Sequence, residues 1–324
     1  MSTICKRIGT YAVAAIAIPL ISITAQTGYA KEFTPGKTAT VIVTSSPGGG
    51  SDTVTRTLTD IIRENKLTDT NFVIENRTGG SGAVGYSYVT QHGGDENMWA
   101  NIGVSFFTTP LLGNSPVNYK DFTPLAAVAE DAYVMAVAAN SEITGLDSIA
   151  KSGRMLSGTT GIVADPALIA HRLEESMGIE VDIVPFEGDG EVTAALLGGH
   201  IDVQFGNPSE ILPLIQGGEM RAIAVSSDER LEALPDVPTM KEQGYDVSLT
   251  QLRGFVMPPK VSAEAAAYWA DIIGKALKSP QWKERYIDRY NVVPKFLSGQ
   301  EFAAEMDRRN TDYTALMKKL GLLK

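Results

Sequence analysis

Short β-branched segments alternate with glycine-rich turns and amphipathic helices along the first third of the chain. After the first such segment come serine, proline and glycine, and from Ser51 the apolar residues Val54, Leu58, Ile61 and Ile62 recur at helical spacing. This alternation predicts an α/β fold in which helices cover both faces of largely parallel sheets. The strands predicted here are residues 39–44, 72–75 and 99–106, and a second helix is predicted over residues 83–91.

The middle of the chain repeats one unit: an apolar helix, a Gly-Gly pair and a strand. Glycine just beyond a helix adopts the left-handed conformation that ends it, so each pair predicts a helix-to-strand turn. The first unit comprises residues 192–197, Gly198-Gly199 and 201–205, and the second comprises residues 211–216, Gly217-Gly218 and 221–226. Two further strands are predicted over residues 132–138 and 181–185.

The last part of the chain is helical, with apolar residues at helical spacing and charges between them. Helices are predicted over residues 263–277, 280–290 and 300–316, with no strand beyond a possible one at 292–293. Three helices without a sheet do not easily form a domain of their own. We therefore expect them to cover the first sheet, so that the chain crosses twice between two lobes.

The N-terminus has the three parts of a secretory signal peptide. Lys6 and Arg7 precede an apolar segment over residues 8–23, and small residues follow at Gly28 and Ala30. The apolar segment is interrupted and shorter than the roughly 20 residues that a membrane span needs. The sequence therefore predicts export to the periplasm, with cleavage after Ala30.

The composition narrows the possible partners. The formal net charge is −10, and removal of Lys6 and Arg7 makes the exported chain more acidic still. An acidic chain without basic segments disfavours nucleic acid and anionic lipid as partners. The only cysteine, Cys5, lies in the predicted leader, so we expect no thiol, disulfide or cysteine metal ligand in the exported protein.

The first glycine loop, residues 46–52, leads from a strand into a helix. Glycines allow close approach to the backbone, and a helix N-terminus offers unpaired N–H groups and partial positive charge. The loop is therefore suited to bind an anion. A plain tight turn with Asp52 or Ser51 as the N-cap explains the same pattern equally well.

The second glycine loop contains the spacing G-x-G-x-x-G at Gly80, Gly82 and Gly85. A dinucleotide site also needs an acidic residue about 20 positions later, at the end of the next strand. That strand continues through Ile102 into Ser105 without an acid. Nucleotide binding is therefore disfavoured, and no cofactor is predicted.

Two loops of the middle region, residues 158–161 and 185–191, also precede helices. Anion-binding loops in two separate regions predict one ligand that is held from both sides. For Thr159 and Thr160, ordinary turn and capping chemistry is an equally good explanation.

Catalytic and metal sites have little support in the sequence. His92, His171 and His200 lack ligand-like spacing, and there is no nucleophile elbow or P-loop lysine. Asp52 and Arg56 are four residues apart and predict a surface ion pair. We therefore predict a protein that is not an enzyme, without a catalytic residue or a metal.

Several segments, taken together and in order, resemble the Bug-type extracytoplasmic receptors of the tripartite tricarboxylate transporters. The resemblance covers essentially the whole chain after the leader. The segments are SSPGGGSDTVTR (45–56), ENRTGGSGAVGYSYV (75–89), VPFEGDGEVTAALLGGHIDV (184–203), NPSEILPLIQGGEMRAIAVSS (207–227) and ERLEALPDVPTMKEQGYDV (229–247).

The resemblance implies a type II periplasmic-binding-protein fold, in which two α/β lobes joined by two crossovers close on a ligand. Domain one would comprise residues 31–137 and 253–324, and domain two residues 138–252, after a signal peptide over 1–30. It further implies a monomeric receptor that binds a small organic carboxylate and delivers it to the membrane permease subunits of a tripartite tricarboxylate transporter.

The resemblance also implies which residues contact the ligand. The first loop would be the main carboxylate clamp of domain one, and further residues of that domain would line the same wall. Loops of domain two would hold the other end of the ligand. The expected ligand-binding residues are Ser46, Pro47, Gly48, Gly49, Gly50, Ser51, Asp52, Gly80, Ser81 and Ser105 in domain one, and Thr159, Thr160, Gly161, Phe186, Glu187, Gly188, Asp189 and Asn207 in domain two.

One departure from the family pattern bears on the ligand. Relatives often have lysine and glycine where this chain has Glu187 and Asp189. Two acids close to a polyanion repel it by roughly 1 to 4 kcal/mol, depending on the effective dielectric. We therefore expect one essential carboxylate and a less anionic, aromatic or cationic far end, unless Glu187 points to solvent.

Two other functions remain compatible with the sequence. A receptor of this kind could serve sensing or signalling instead of uptake. A secreted two-domain hydrolase using Ser81 or Ser105 is the alternative from another class.

Overall fold

The computed structural model describes residues 33–323, and the predicted signal peptide lies outside these residues. Between Phe33 and Leu323, no helix combines the length and apolar character needed to cross a membrane. The strands are β1 (Thr38–Val43), β2 (Asn71–Asn76), β3 (Met98–Ile102), β4 (Thr123–Ala132), β5 (Val134–Ala138), β6 (Arg154–Thr159), β7 (Glu180–Pro185), β8 (Val203–Gly206), β9 (Met220–Val225), β10 (Thr250–Met257) and β11 (Val293–Ser298).

The helices alternate with these strands as the sequence predicts. They are α1 (Gly50–Glu64), α2 (Ala83–Gln91), α3 (Ser105–Leu111), α4 (Leu146–Ser152), α5 (Asp165–Met177), α6 (Asp189–Leu197), α7 (Pro208–Gln216), α8 (Ala263–Leu277), α9 (Pro280–Trp282) and α10 (Gly299–Lys319). A 3-10 turn forms over Tyr119–Asp121, and a π-helical segment over Lys283–Asp288 follows α9.

The first sheet has six strands in the order β11-β4-β10-β3-β1-β2. The strands β1, β2 and β3 are parallel, whereas β10 runs antiparallel to β3 and β4. Successive residues of a strand face opposite sides of a sheet. Val41 accordingly belongs to a buried cluster with Leu58 of α1 and Trp269 of α8, and Ile42 belongs to another with Tyr86 of α2.

The second sheet has five strands in the order β7-β6-β8-β5-β9. The strand β6 is parallel to both its neighbours, and β5 is antiparallel to β8 and β9. Val134 joins Val192 of α6 and Ile211 of α7 in one cluster, while Met135 joins Leu168 of α5 in the other. Both faces of this sheet are thus covered, and the predicted α/β class is confirmed.

The chain changes sheets twice. The strand β4 of the first sheet is followed by β5 of the second, with only Tyr133 between them, and the chain returns with β10. The helices α8 and α10 pack on the first sheet, as expected for the last part of the chain. The exact division into domains at residues 137/138 and 252/253 stays a prediction.

Some elements differ from the sequence-based expectation. The predicted strand over residues 99–106 ends at Ile102, and Ser105 is the first residue of α3, because a helix forms directly after the Gly103 turn. The strands β4, β6 and β10 were not predicted. The β4 sequence TPLAAVAEDA is rich in alanine, which is depleted in strands, so its pattern gives little strand signal.

The two Gly-Gly pairs behave as predicted. In each pair the second glycine, Gly199 or Gly218, has a φ near +72° or +73°, which is the left-handed region that ends a helix. These turns connect the end of α6 to β8 and the end of α7 to β9.

Candidate ligand-binding cavity

A cavity of about 610 Å³ lies where loops of the first sheet face loops of the second. Most of the residues predicted to bind ligand line it. They are Ser46, Gly50, Ser51, Gly80, Ser81, Ser105, Thr160, Gly161, Phe186, Glu187, Gly188, Asp189 and Asn207. Five predicted residues lie off this lining, namely Pro47, Gly48, Gly49, Asp52 and Thr159.

The first glycine loop ends at Gly49, which is the N-cap of α1. The Gly50 N–H donates at 2.5 Å to the carboxylate of Glu210, on the helix α7 that packs against the second sheet. Ser51 and Asp52 N–H have no acceptor within residues 33–323. The helix start is therefore directed toward the opposing loops, and one of its N–H groups already binds a carboxylate.

The Asp52 carboxylate accepts hydrogen bonds that hold the first glycine loop in place. It accepts from Gly48 N–H at 2.9 Å, from Arg56 Nε at 2.8 Å and from Asn76 Nδ2 at 3.0 Å. Burial alone would raise the pKa of Asp52, but these hydrogen bonds hold it below its usual value. The predicted Asp52–Arg56 ion pair forms, but it is not a surface pair on both sides, because the Asp52 side chain is only 5% exposed.

The second glycine loop turns into α2 through Gly82, whose φ of +88° requires the left-handed region. Thr109 Oγ1 donates to the carbonyl of Ser81 at 3.1 Å and fixes the loop against α3. A side chain at Gly161 would collide with the Ser81 hydroxyl, so the loops of the two sheets touch at this point.

The loop after β6 is held internally by Thr159. Its buried Oγ1 donates to the Gly161 carbonyl at 2.9 Å, which is the turn chemistry considered as the alternative for this residue. Thr160 and Gly161 face the cavity.

The loop after β7 places its two acids differently. Glu187 is exposed, and its N–H donates to Glu191 Oε2 at 3.2 Å. Asp189 is the first residue of α6; burial raises its pKa, and Arg253 opposes the rise. Between them, Gly188 lies so close to Ser46 that its added Cβ would be 2.9 Å from Ser46 Cβ.

Arg253 is the main residue that the sequence analysis missed. It lies on β10, lines the cavity and is 1% exposed. Its Nε and Nη2 contact Asp131 Oδ2 at 2.8 and 2.7 Å, and Nη1 donates to Ser51 Oγ at 3.1 Å. A lone arginine among apolar strand residues was the available signal, but β10 itself was not recognised.

Glu210 was also missed. Besides Gly50, its carboxylate accepts from Asn207 N–H at 3.2 Å, so it helps to cap α7. Burial raises the pKa of Glu210 to about 8; Asp189 adds to the rise, whereas Arg253 and the two N–H donors oppose it. The spacing Asn207-x-x-Glu210 is a helix-start signature that the sequence offered.

Another buried acid, Asp165, also lines the cavity. Tyr133 Oη donates to Asp165 Oδ2 at 2.8 Å and lies 3.0 Å from Gln251 Oε1. Burial raises the pKa of Asp165 to about 7, and the tyrosines and nearby arginines oppose the rise.

The lining is strongly acidic. Its basic side chain is Arg253, which is already paired with Asp131. Within the described residues, no histidine lines this cavity, and no three His, Cys, Asp or Glu side chains gather to hold a metal ion. The acids that line it are Asp165, Glu187, Asp189, Glu191 and Glu210.

Comparisons with known proteins agree with this architecture. A curated relative, the UPF0065 protein in the gbd 5' region of Cupriavidus necator, is 24% identical over 97% of this chain and 96% of its own length. The solved structure of the periplasmic binding protein BugD is similar with a TM-score of 0.83 and 22% identity, covering 90% of this chain and all of that one. The periplasmic-binding-protein fold is therefore confirmed.

A second solved structure is R. palustris Rpa4515 with adipate. It has a TM-score of 0.83 and 21% identity, and the match covers 89% of this chain and 98% of that one. The sequence model described as "Tripartite tricarboxylate transporter family receptor" matches residues 54–322. The chain therefore belongs to the receptor family of the tripartite tricarboxylate transporters.

Proposed function

We propose that this protein is a periplasmic receptor that binds a small organic carboxylate between its two sheets and delivers it to a transporter permease. The observation that carries the proposal is the cavity whose lining comes from loops of both sheets, with the N-terminus of α1 directed into it. A ligand that contacts both sides favours the closed state, and capture needs no chemistry beyond this difference in affinity.

The proposed binding residues are those predicted from the sequence that line the cavity, with Arg253 and Glu210 added. The backbone of the second loop, around Gly80 and Ser81, supplies amide donors for the carboxylate, and so does the start of α1 at Ser51. The two lobes of the predicted domain division would close around the cavity.

Titration of the exported protein with carboxylates tests the proposal. Mono-, di-, tri- and aromatic carboxylates are compared by thermal shift and by calorimetry. A ligand at about 100 times its Kd adds ~2.7 kcal/mol of stability. The absence of any response to all four classes would refute carboxylate binding.

The variant Glu187→Lys tests whether the Glu187 side chain lies near the bound ligand. Reversing this exposed charge would strengthen carboxylate binding by ~1 kcal/mol, or roughly fivefold, if the side chain lies near the ligand. Glu219→Lys is the control, because Glu219 is exposed and lies off the cavity. Equal affinity in Glu187→Lys and the unmodified protein would remove Glu187 from the site.

Incubation of the ligand with the protein, followed by recovery of the ligand, distinguishes a receptor from a hydrolase. A receptor returns the ligand unchanged, whereas a hydrolase acting through Ser81 or Ser105 consumes it. Delivery to a permease is separated from sensing by uptake of the labelled ligand into cells with and without the gene for this receptor.

A further inference from the structure

One part of the cavity, next to the start of α1, is built by four residues that we call the acidic corner: Gly50, Asp189, Asn207 and Glu210. A point at the Cβ position of neighbouring Gly49 lies 3.1 Å from Asp189 Oδ2 and 3.7 Å from Glu210 Oε1. The two carboxyl groups therefore approach the same small volume. Any side chain at position 49 would fill the space between them.

Asn207 gives the acidic corner an unused hydrogen-bond donor. The side chain is 6% exposed and lines the cavity, yet its Nδ2 has no hydrogen-bond partner within residues 33–323. A buried polar atom without a partner costs roughly 1 to 3 kcal/mol, so native structures rarely leave one unsatisfied. The atom indicates that a bound molecule supplies an acceptor here.

The two carboxyl groups of the acidic corner disfavour a second ligand carboxylate there. Arg253 is the nearby cation, but its charge is already paired with Asp131: Nε donates to Oδ2, and Nη2 lies 2.7 Å from the same oxygen without making a hydrogen bond. Burial also raises the pKa of Glu210 and of Asp189, which is the response of carboxyl groups that lack a sufficient counter-charge. A ligand carboxylate here would meet two buried carboxyl groups and would be tolerated only while they stay protonated, whereas the hydrogens of a ligand nitrogen are accepted by the existing oxygens.

We propose that the ligand carries one carboxylate and ends at its other side in a nitrogen that donates hydrogens, which Asp189 and Glu210 accept. This inference rests on the proposed carboxylate receptor and names its ligand class. A protonated amine satisfies the two carboxyl groups but leaves Asn207 Nδ2 without an acceptor, whereas a primary carboxamide also offers its oxygen to that atom and is therefore the better fit. Dicarboxylates such as the adipate of the similar structure are then poor ligands of this chain.

Matched compounds test the proposal by calorimetry on the exported protein. The first set is adipate, 6-aminohexanoate and the monoamide of adipate, and the second is succinate, 4-aminobutanoate and the monoamide of succinate. We expect a nitrogen-terminated member of a set to bind about tenfold or more tightly than the dicarboxylate of the same length, or ~1.4 kcal/mol. The amine and amide arms show which form of nitrogen is recognised.

Variants of Asp189 and Glu210 test whether these residues cause the preference for a nitrogen-terminated ligand. Asp189→Asn and Glu210→Gln keep the shape of each side chain and replace an ionisable oxygen acceptor by an amide that cannot ionise. Each is expected to reduce the preference for the amine over the dicarboxylate about fivefold or more. The matched control is Glu219→Gln, which removes the same charge just beyond α7 and away from the cavity. Retained binding of any carboxylate shows that a variant is folded.

The results separate failure of this inference from failure of the proposed function. Tighter binding of the dicarboxylate in both sets would overturn the inference and leave the carboxylate receptor standing. Equal effects of Glu210→Gln, Asp189→Asn and Glu219→Gln would also overturn it. No binding by any compound, together with no response to tricarboxylates or aromatic acids, would refute the proposed function itself.

Discussion

Arg253 on β10 and Asp131 on β4 form an ion pair inside the first sheet. The Nη2 to Oδ2 distance is 2.7 Å, and the two side chains are 1% and 2% exposed. Arg253 also donates to Ser51 Oγ at the second residue of α1. The pair thereby connects the interior of the sheet to the helix start that faces the cavity.

Breaking this pair is expected to destabilise the protein strongly. Asp131→Asn leaves the Arg253 charge buried without its partner, which typically costs about 3 to 5 kcal/mol. Unfolding in urea, followed by circular dichroism, measures the loss. Asp271→Asn is the control, since it removes the exposed Lys275–Asp271 pair, where we expect a change below ~1 kcal/mol. Similar losses in both variants would contradict the structural role of Arg253.

Gly188 is expected to control how closely the loops of the two sheets approach each other. Its φ of −165° suits any residue, so Gly188→Ala strains no backbone torsion, but the new methyl group collides with Ser46. We predict an affinity loss of about tenfold or more, ~1.4 kcal/mol, with the melting temperature of the free protein nearly unchanged.

The neighbouring Gly190 provides the control for this experiment. An added Cβ there meets no atom within 4 Å, so Gly190→Ala is expected to retain the original affinity. Restoration of affinity by Ser46→Gly in the Gly188→Ala background would identify the collision as the cause. Full affinity of Gly188→Ala alone would show that these loops need not touch.

The buried acid Asp165 predicts a fall in stability as the pH rises. Its pKa is raised from 3.8 to about 7, so between these values the folded state binds more protons than the unfolded state. The free energy of unfolding therefore decreases with pH across this window. Glu210 contributes in the same direction from about 4.5 to about 8.

Two variants isolate the contribution of Asp165. Asp165→Asn removes a titrating group, so the free energy of unfolding should fall less between pH 5 and pH 7. Tyr133→Phe removes the hydroxyl that opposes the pKa rise, so the fall should continue to higher pH. Denaturant unfolding across this pH range measures both. An unchanged slope in Asp165→Asn would exclude Asp165 as a source.

Export provides a further prediction. We expect the periplasmic protein to begin at Lys31, as N-terminal sequencing would show. Ala30→Leu places a large residue where the cleavage site requires a small one, so the uncleaved chain should accumulate. Gly28→Ala keeps a small residue and should be processed normally. Processing of Ala30→Leu at the usual position would place the cleavage site elsewhere.

The local parts of the site could be predicted from sequence, because each consists of consecutive residues. A strand, a glycine turn and a helix start are all visible between residues 39 and 51, and the structure has them there. The opposing loops at Gly161 and Gly188 were recognised for the same reason. Their mutual contact follows from the fold and needed the structure.

The long-range parts could not be predicted. Arg253 and Asp131 are 122 positions apart, and the Gly50 N–H and Glu210 are 160 positions apart. Arg253 meets Asp131 because β10 returns to the first sheet beside β4, and Gly50 meets Glu210 because α1 packs against α7. No local pattern encodes these pairings, so the ion pair and the Gly50–Glu210 contact were both beyond sequence reasoning.

The single residue between β4 and β5 limits how the molecule can bend. A one-residue connection cannot lengthen or rearrange. At this connection, a change in the angle between the two sheets therefore requires a change in the backbone torsions of Tyr133 and its direct neighbours. The Tyr133 ring reaches Asp165 and Gln251, and it therefore has to move whenever that angle changes. The part of the ultraviolet difference spectrum between free and ligand-bound protein that is lost in Tyr133→Phe would then report opening and closing.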